Sequence, residues 1–145
     1  MTDTVAVDVR LFTVEQANAT LPLVRRIVTD LIDLHPRWRA AVASYELAQA
    51  DVDATGETDV ARDQRLAAGR LAGEIESCLD ELTQIGCHFK DFESGLVDFP
   101  AMREERMVYL CWRAGEERVE HWHEITGGVD GRQPIDALFT SAVAT

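Results

Sequence analysis

From Leu21 onward, apolar side chains recur in steps of three and four: Leu21, Val24, Val28, Leu31, then His35, Trp38, Val42, Tyr45 and Val52, with polar Gln49 the one skipped step. Such spacing forms one stripe on a helix, and Ile27, Leu34, Ala41 and Ala48 widen it. Thr13-Val-Glu-Gln16 has capping-box spacing, so a helix is expected to start near Val14. Pro22 suits a first turn better than an interior. A short helix to about Thr20 and a new one from Leu21 are therefore predicted. The stripe keeps its register through Pro36, which predicts a continued, kinked helix, with a break at Pro36 the alternative. Ala54–Asp59 (ATGETD) reads as a polar turn. A second stripe follows: Ala61, Ala68, Ala72, Ile75, Leu79 and Leu82, with Gly86 as the C-terminal stop. Two long helices joined by a short turn predict an antiparallel hairpin over residues 14–86.

After Gly86 the period falls to two. Cys87–Phe92, Leu96–Phe99 and Met107–Trp112 read as short strands, with Ala101–Arg106 as a hairpin loop. In the last strand Val108, Leu110 and Trp112 face one way, and Met107, Tyr109 and Cys111 the other. Val119–Ile125 fits a short helix or a strand, and the tail 136–145 is expected to fray. The expected fold is α+β. A long antiparallel helical hairpin packs with a small antiparallel β-sheet in a single domain, with residues 87–135 as its β-rich part.

Composition narrows the partners. The chain has 145 residues, 46% hydrophobic and 28% charged, and a net charge of −12. Cutting it after residues 54 and 86 gives −3, −4 and −5, so the acidity is spread out. With no basic stripe, nucleic acid and anionic membrane are poor partners. The start, MTDTVAVDVR, lacks a signal pattern, and no apolar run is long enough to span a bilayer. Cys78, Cys87 and Cys111 make an odd set without a C-x-x-C pair, which reads as reduced thiols in a cytoplasmic protein. The hairpin is longer than a small sheet can cover, so a homodimer through the hairpin is expected.

FTVEQANATLPLVRRI at the start and KDFESGLVDFP, MVYLCWRAGE and WHEITGGVDGRQPI later together resemble a family of short bacterial proteins known as a domain of unknown function. That family has a helical first half followed by GLVDFP, LCW, GE, WH and GRQP elements. The resemblance covers nearly the whole chain, and the string of C-terminal motifs is its specific part. It implies no reaction, but it sorts residues. Asp91, Gly95, Asp98, Pro100, Trp112, Glu116, Trp122, His123, Gly131 and Arg132 match the pattern. His88, Glu120 and His121 fall outside it, and Pro36 is atypical.

The chemistry concentrates in EHWHEITGGVDGRQP. His121 and His123 share a face only in an extended strand. Glu120-x-x-His123 is one copy of a unit that carboxylate-bridged two-metal bundles need twice, which sets that reading aside. A mixed set is the better candidate. His123, Asp98, Glu116 and Asp91 suit one divalent ion such as Fe, Mn, Zn or Mg. Without metal, His123 and Asp98 make a general-base arrangement. The competing reading is a structural hydrogen-bond network. Arg132 would clamp a small anionic ligand or form an internal salt bridge to Asp98 or Asp91. Trp112 and Trp122 would flank the ligand or simply pack in the core. A zinc–thiolate set from Cys87, Cys111, His88 and the later histidines lacks the usual spacing. Two functions are left: a small enzyme or metal-binding protein built on these residues, and an interaction module in which the hairpin binds a partner chain.

Overall fold

The computed structural model describes residues 9–50 and 56–139. Helix α1 spans Val14–Ala50 and α2 spans Asp59–Ile85. Five strands follow: β1 (His88–Asp91), β2 (Leu96–Arg103), β3 (Arg106–Arg113), β4 (His121–Glu124) and β5 (Gln133–Pro134). They form one antiparallel sheet in chain order. The fold is the expected α+β combination of two packed helices and an antiparallel sheet.

Helix α1 starts where the capping box places it. Gln16 N–H donates to Thr13 Oγ1 and Thr13 N–H to Gln16 Oε1, each at 3.0 Å. The expected break near Thr20 does not occur, because α1 runs unbroken through Pro22 and Pro36. An interior proline costs about 3 kcal/mol. Each buried aliphatic side chain contributes about 1.5–3 kcal/mol, and Leu21, Val24, Ile27, Val28 and Leu31 all bury in one stripe, while both proline rings stay exposed. Packing therefore outweighs the two defects. Thr58 caps α2 through Ala61 N–H, and Gly86 ends it in a left-handed turn with φ 107°. Val52 and the first two residues of the predicted turn, Ala54 and Thr55, lie outside the described residues.

The sheet buries one face on the hairpin. Val97, Phe99, Ala101, Val108, Leu110 and Trp112 join the core formed with Leu21–Leu34 of α1 and with Ile75 and Leu82 of α2. Phe12 ties the helix entrance to the sheet: its N–H donates to Pro100 O at 2.7 Å, and its ring meets Phe99 edge-on at 5.2 Å. N–H and C=O of one residue point to the same side of a strand. Pro100 therefore lacks its donor on the side away from β3, where the ladder loses nothing.

One expectation about the β-region changes. Ala101–Arg106 is not a loop, since β2 continues to Arg103 and the turn is Glu104-Glu105 alone. Both turn residues are left-handed, with φ 49° and 70°, as a two-residue type I′ hairpin requires. Of the tail expected to fray, residues 136–139 are described. Asp136 pairs with Arg103 at 2.8 Å, and Phe139 packs 5.7 Å from the Trp122 ring. Residues 140–145 lie outside the described residues. No helix among the described residues is long and apolar enough to cross a membrane.

Candidate functional site

Strand register sets up the site. His88 pairs with Asp98, Asp98 with Cys111, and Cys111 with His121. Four residues of metal-ligating type thus form one row across β1–β4. The pleat puts this row on the face opposite Val97, Phe99, Leu110 and Trp112. His123, opposite Tyr109, stands in the next row on the same face. Segment 121–124 is a strand, so His121 and His123 do share a face.

The inner part of this row is sealed. Asp98, Cys111 and His123 are 1%, 0% and 3% exposed. His123 reaches over β3 so that its Nε2 lies 3.0 Å from Asp98 Oδ1. Its Nδ1 lies 2.7 Å from Glu124 O. A carbonyl only accepts, so Nδ1 carries a proton. One further proton must then sit between Nε2 and Oδ1, since two bare lone pairs would repel at this distance. Cys111 Sγ completes the group: one donor atom from each residue lies within 4.8 Å of the others. Burial, reinforced by the Asp98 charge, pushes the Cys111 thiol up to about 11 against the opposing pull of Arg132. A protonated, buried thiol is not a nucleophile.

Glu116 and Arg132 form a second, outer group. Arg132 Nη2 donates to Glu116 Oε1 at 2.8 Å and to Cys111 O at 3.3 Å. Glu116 Oε1 also accepts from Arg113 N–H at 2.8 Å, and Oε2 lies 3.7 Å from His121 Nδ1. Burial raises the Glu116 carboxyl, but Arg132, the Arg113 N–H and nearby positive charge outweigh it and leave it below the ordinary range. The salt bridge expected of Arg132 is present, with Glu116 as its partner instead of Asp98 or Asp91. Asp91 stands apart. It closes the β1–β2 turn by accepting from Glu93 N–H, Ser94 N–H and the Ser94 hydroxyl.

The tryptophans belong to the core. Trp112 donates Nε1–H to Glu116 O at 3.0 Å and borders a shallow cleft of about 670 Å³ with Arg25, Gly115 and Arg118. Trp122 is covered by Phe139 and by Arg103, whose guanidinium lies 4.4 Å from the ring centroid.

The sequence family described as an uncharacterized conserved protein, DUF2203, matches residues 10–135. The chain belongs to DUF2203. The match spans both the helical half and the motif-rich half, and it agrees with the resemblance to a family of unknown function. No curated protein and no solved structure matches the chain. In this DUF2203 chain, sequence reasoning did not select Cys111 as part of the candidate set. The signal was partial: alternation turned Cys111 away from the core and Val97–Phe99 turned Asp98 the same way, but only the hairpin register makes them neighbours.

Proposed function

We propose that this protein binds one divalent metal ion within its sheet, through His123 Nε2, an Asp98 oxygen and Cys111 Sγ. The observation that carries the reading is the convergence of nitrogen, oxygen and sulfur donors within 4.8 Å on three buried residues. Tetrahedral zinc, with bonds of about 2.0–2.3 Å, sets its ligands roughly 3.3 Å or more apart. The 3.0 Å pair need open by only a few tenths of an ångström. The Nδ1–H···O=C bond to Glu124 fixes the ring so that Nε2 would ligate once a metal replaces the proton it shares with Asp98, as metal-bound histidines require. Thiolate favours zinc or iron and counts against magnesium and manganese. Arg132 commits Nη2 to Glu116 and a carbonyl, while its Nε makes no hydrogen bond, so the salt bridge leaves only part of the guanidinium for a small anion.

The test is metal content of the purified protein by elemental analysis, beside His123→Ala and Cys111→Ser. One zinc or iron per chain, lost in both variants, is expected. A metal-free wild type that also takes up none on titration would reduce the trio to a structural hydrogen-bond network.

A second reading, homodimerisation through the hairpin, rests on its distal end. Beyond Ala41 no described α1 side chain is fully buried, and Leu47 is 73% exposed. Leu47 sits roughly 200° around the helix from Tyr45, so it does not extend the stripe. The metal reading therefore leads. Light scattering at high concentration tests the dimer, and a strict monomer removes it.

A further inference from the structure

We infer that His88 supplies a fourth donor and closes the proposed metal centre from the outer face of the sheet. The inference rests on that centre and names the ligand the buried trio lacks. Three protein donors leave a tetrahedral ion one short. A fourth donor would have to come from the outer face, because the hairpin-facing side of the sheet is filled with apolar side chains.

Two histidines flank the Asp98–Cys111 pair in the same row, His88 beyond Asp98 and His121 beyond Cys111. Directly paired residues have Cβ atoms about 5 Å apart, so either imidazole has the reach. Their surroundings separate them. Neither ring is held by a hydrogen bond, but His121 Nδ1 is buried facing the Glu116 carboxylate, 3.7 Å away, beside the Glu116–Arg132 pair. His88 is exposed on the edge strand, and no described side chain holds it by a hydrogen bond. Its ring already leans across β2 to meet Tyr109 edge-on at 6.1 Å, and Tyr109 in turn lies 5.6 Å from His123. To ligate, His88 must turn about its side-chain bonds from Tyr109 toward Asp98, its direct partner across the β1–β2 pairing.

Closure has a mechanical consequence. β1 is a four-residue edge strand that begins two residues after the cap of α2, and its pairing with β2 shifts register between Phe89 and Asp91. A metal held by His88, Asp98, Cys111 and His123 would bolt this short strand across β2 and β3 to β4. The hairpin's exit would then be fixed to the sheet by coordination as well as by packing. Such a centre is structural, with no open position for substrate.

The experiment measures zinc affinity by competition with a chromophoric chelator, and the visible spectrum of the cobalt(II)-loaded protein, for wild type, His88→Ala and His121→Ala. His88 is exposed, so the variant should fold, and circular dichroism checks that it does. Loss of an outer hydrogen bond to a metal ligand costs about 10–100-fold in affinity. His88→Ala should lose more than about 100-fold and shift the cobalt bands, while His121→Ala stays close to wild type. Wild-type affinity and an unchanged cobalt spectrum in His88→Ala would overturn the inference and leave a three-residue centre standing. The same loss in His121→Ala alone would overturn it in favour of the other end of the row. A wild type that binds neither metal would remove the centre itself, and His88's role with it.

Discussion

At the scale of single residues, Gly95 and the buried cysteines carry the sharpest constraints. Gly95 has φ +66°, and a Cβ there would meet Ala114 Cβ at 2.7 Å, Ile32 Cδ1 at 2.9 Å and Val28 Cγ1 at 3.0 Å. The Ile32 tip can swing aside, but Ala114 Cβ sits on its backbone and Val28 lies in the buried stripe of α1, so those two contacts have little room to give. Gly95→Ala combines left-handed strain of about 1–3 kcal/mol with overpacking of similar size. A loss of about 3 kcal/mol in urea unfolding is expected; a change under 1 kcal/mol would show that this turn can shift. The thiols set the alkaline limit. Burial pushes Cys87 up to about 12 and Cys111 up to about 11, from 9.0 in the unfolded chain. Folded pKa values above the unfolded ones mean that the unfolded state releases these protons first. Their contribution is complete below 9.0 and is lost as the pH rises from there through about 11 for Cys111 and about 12 for Cys87. Urea midpoints of the metal-free protein should fall from pH 9.0 upward. In Cys87→Ala the fall should be shallower.

At the scale of elements, the helices were legible and the hairpin between β2 and β3 was not. Thr13, Gln16 and Gly86 announce their roles because capping chemistry is local. Pro22 misled because propensity is also local, whereas the burial that overrides it depends on the sheet packed beneath α1. Pro36 offers a direct check. It leaves the Ile32 carbonyl without its helical donor, and its ring is exposed, so it contributes little to the core in return. Pro36→Ala should raise stability by about 2 kcal/mol, read as a higher Tm, with far-ultraviolet dichroism unchanged or slightly stronger. Destabilisation would mean that a bend at Pro36 is needed to seat Trp38 and Leu34. The β2–β3 register is a subtler case. A loop over Ala101–Arg106 would pair Pro100 with Met107, and so Asp98 with Tyr109. The Glu104-Glu105 turn pairs Asp98 with Cys111. That shift of two residues preserves which side chains face the core, so hydrophobic alternation is blind to it. The cue that would have told them apart is glycine or asparagine in the turn, and two glutamates fill those places. Asp98 and His123 could therefore be picked out as candidates, whereas Cys111 could not be joined to them.

At the scale of the whole molecule, a metal in the sheet would appear as a linkage between ion concentration and global stability. The sheet and hairpin share one core, so a ligand bound only by the folded sheet should stabilise the whole. At one hundred times its Kd, such an ion adds about 2.7 kcal/mol. For a chain of this size roughly 3 °C of Tm accompanies each kcal/mol, so a rise on the order of 8 °C is expected with zinc. The net charge of −12 demands a control, because any divalent cation will gather around so acidic a surface and relieve self-repulsion. Magnesium does this as well as zinc but has little affinity for thiolate. The decisive comparison is melting in zinc against magnesium at equal concentration and ionic strength, for wild type and Cys111→Ser. A centre at Asp98, Cys111 and His123 predicts a zinc-specific rise that the serine variant loses and a chelator reverses. Equal rises with both ions, retained in Cys111→Ser, would assign the stabilisation to the acidic surface and leave the sheet without a metal.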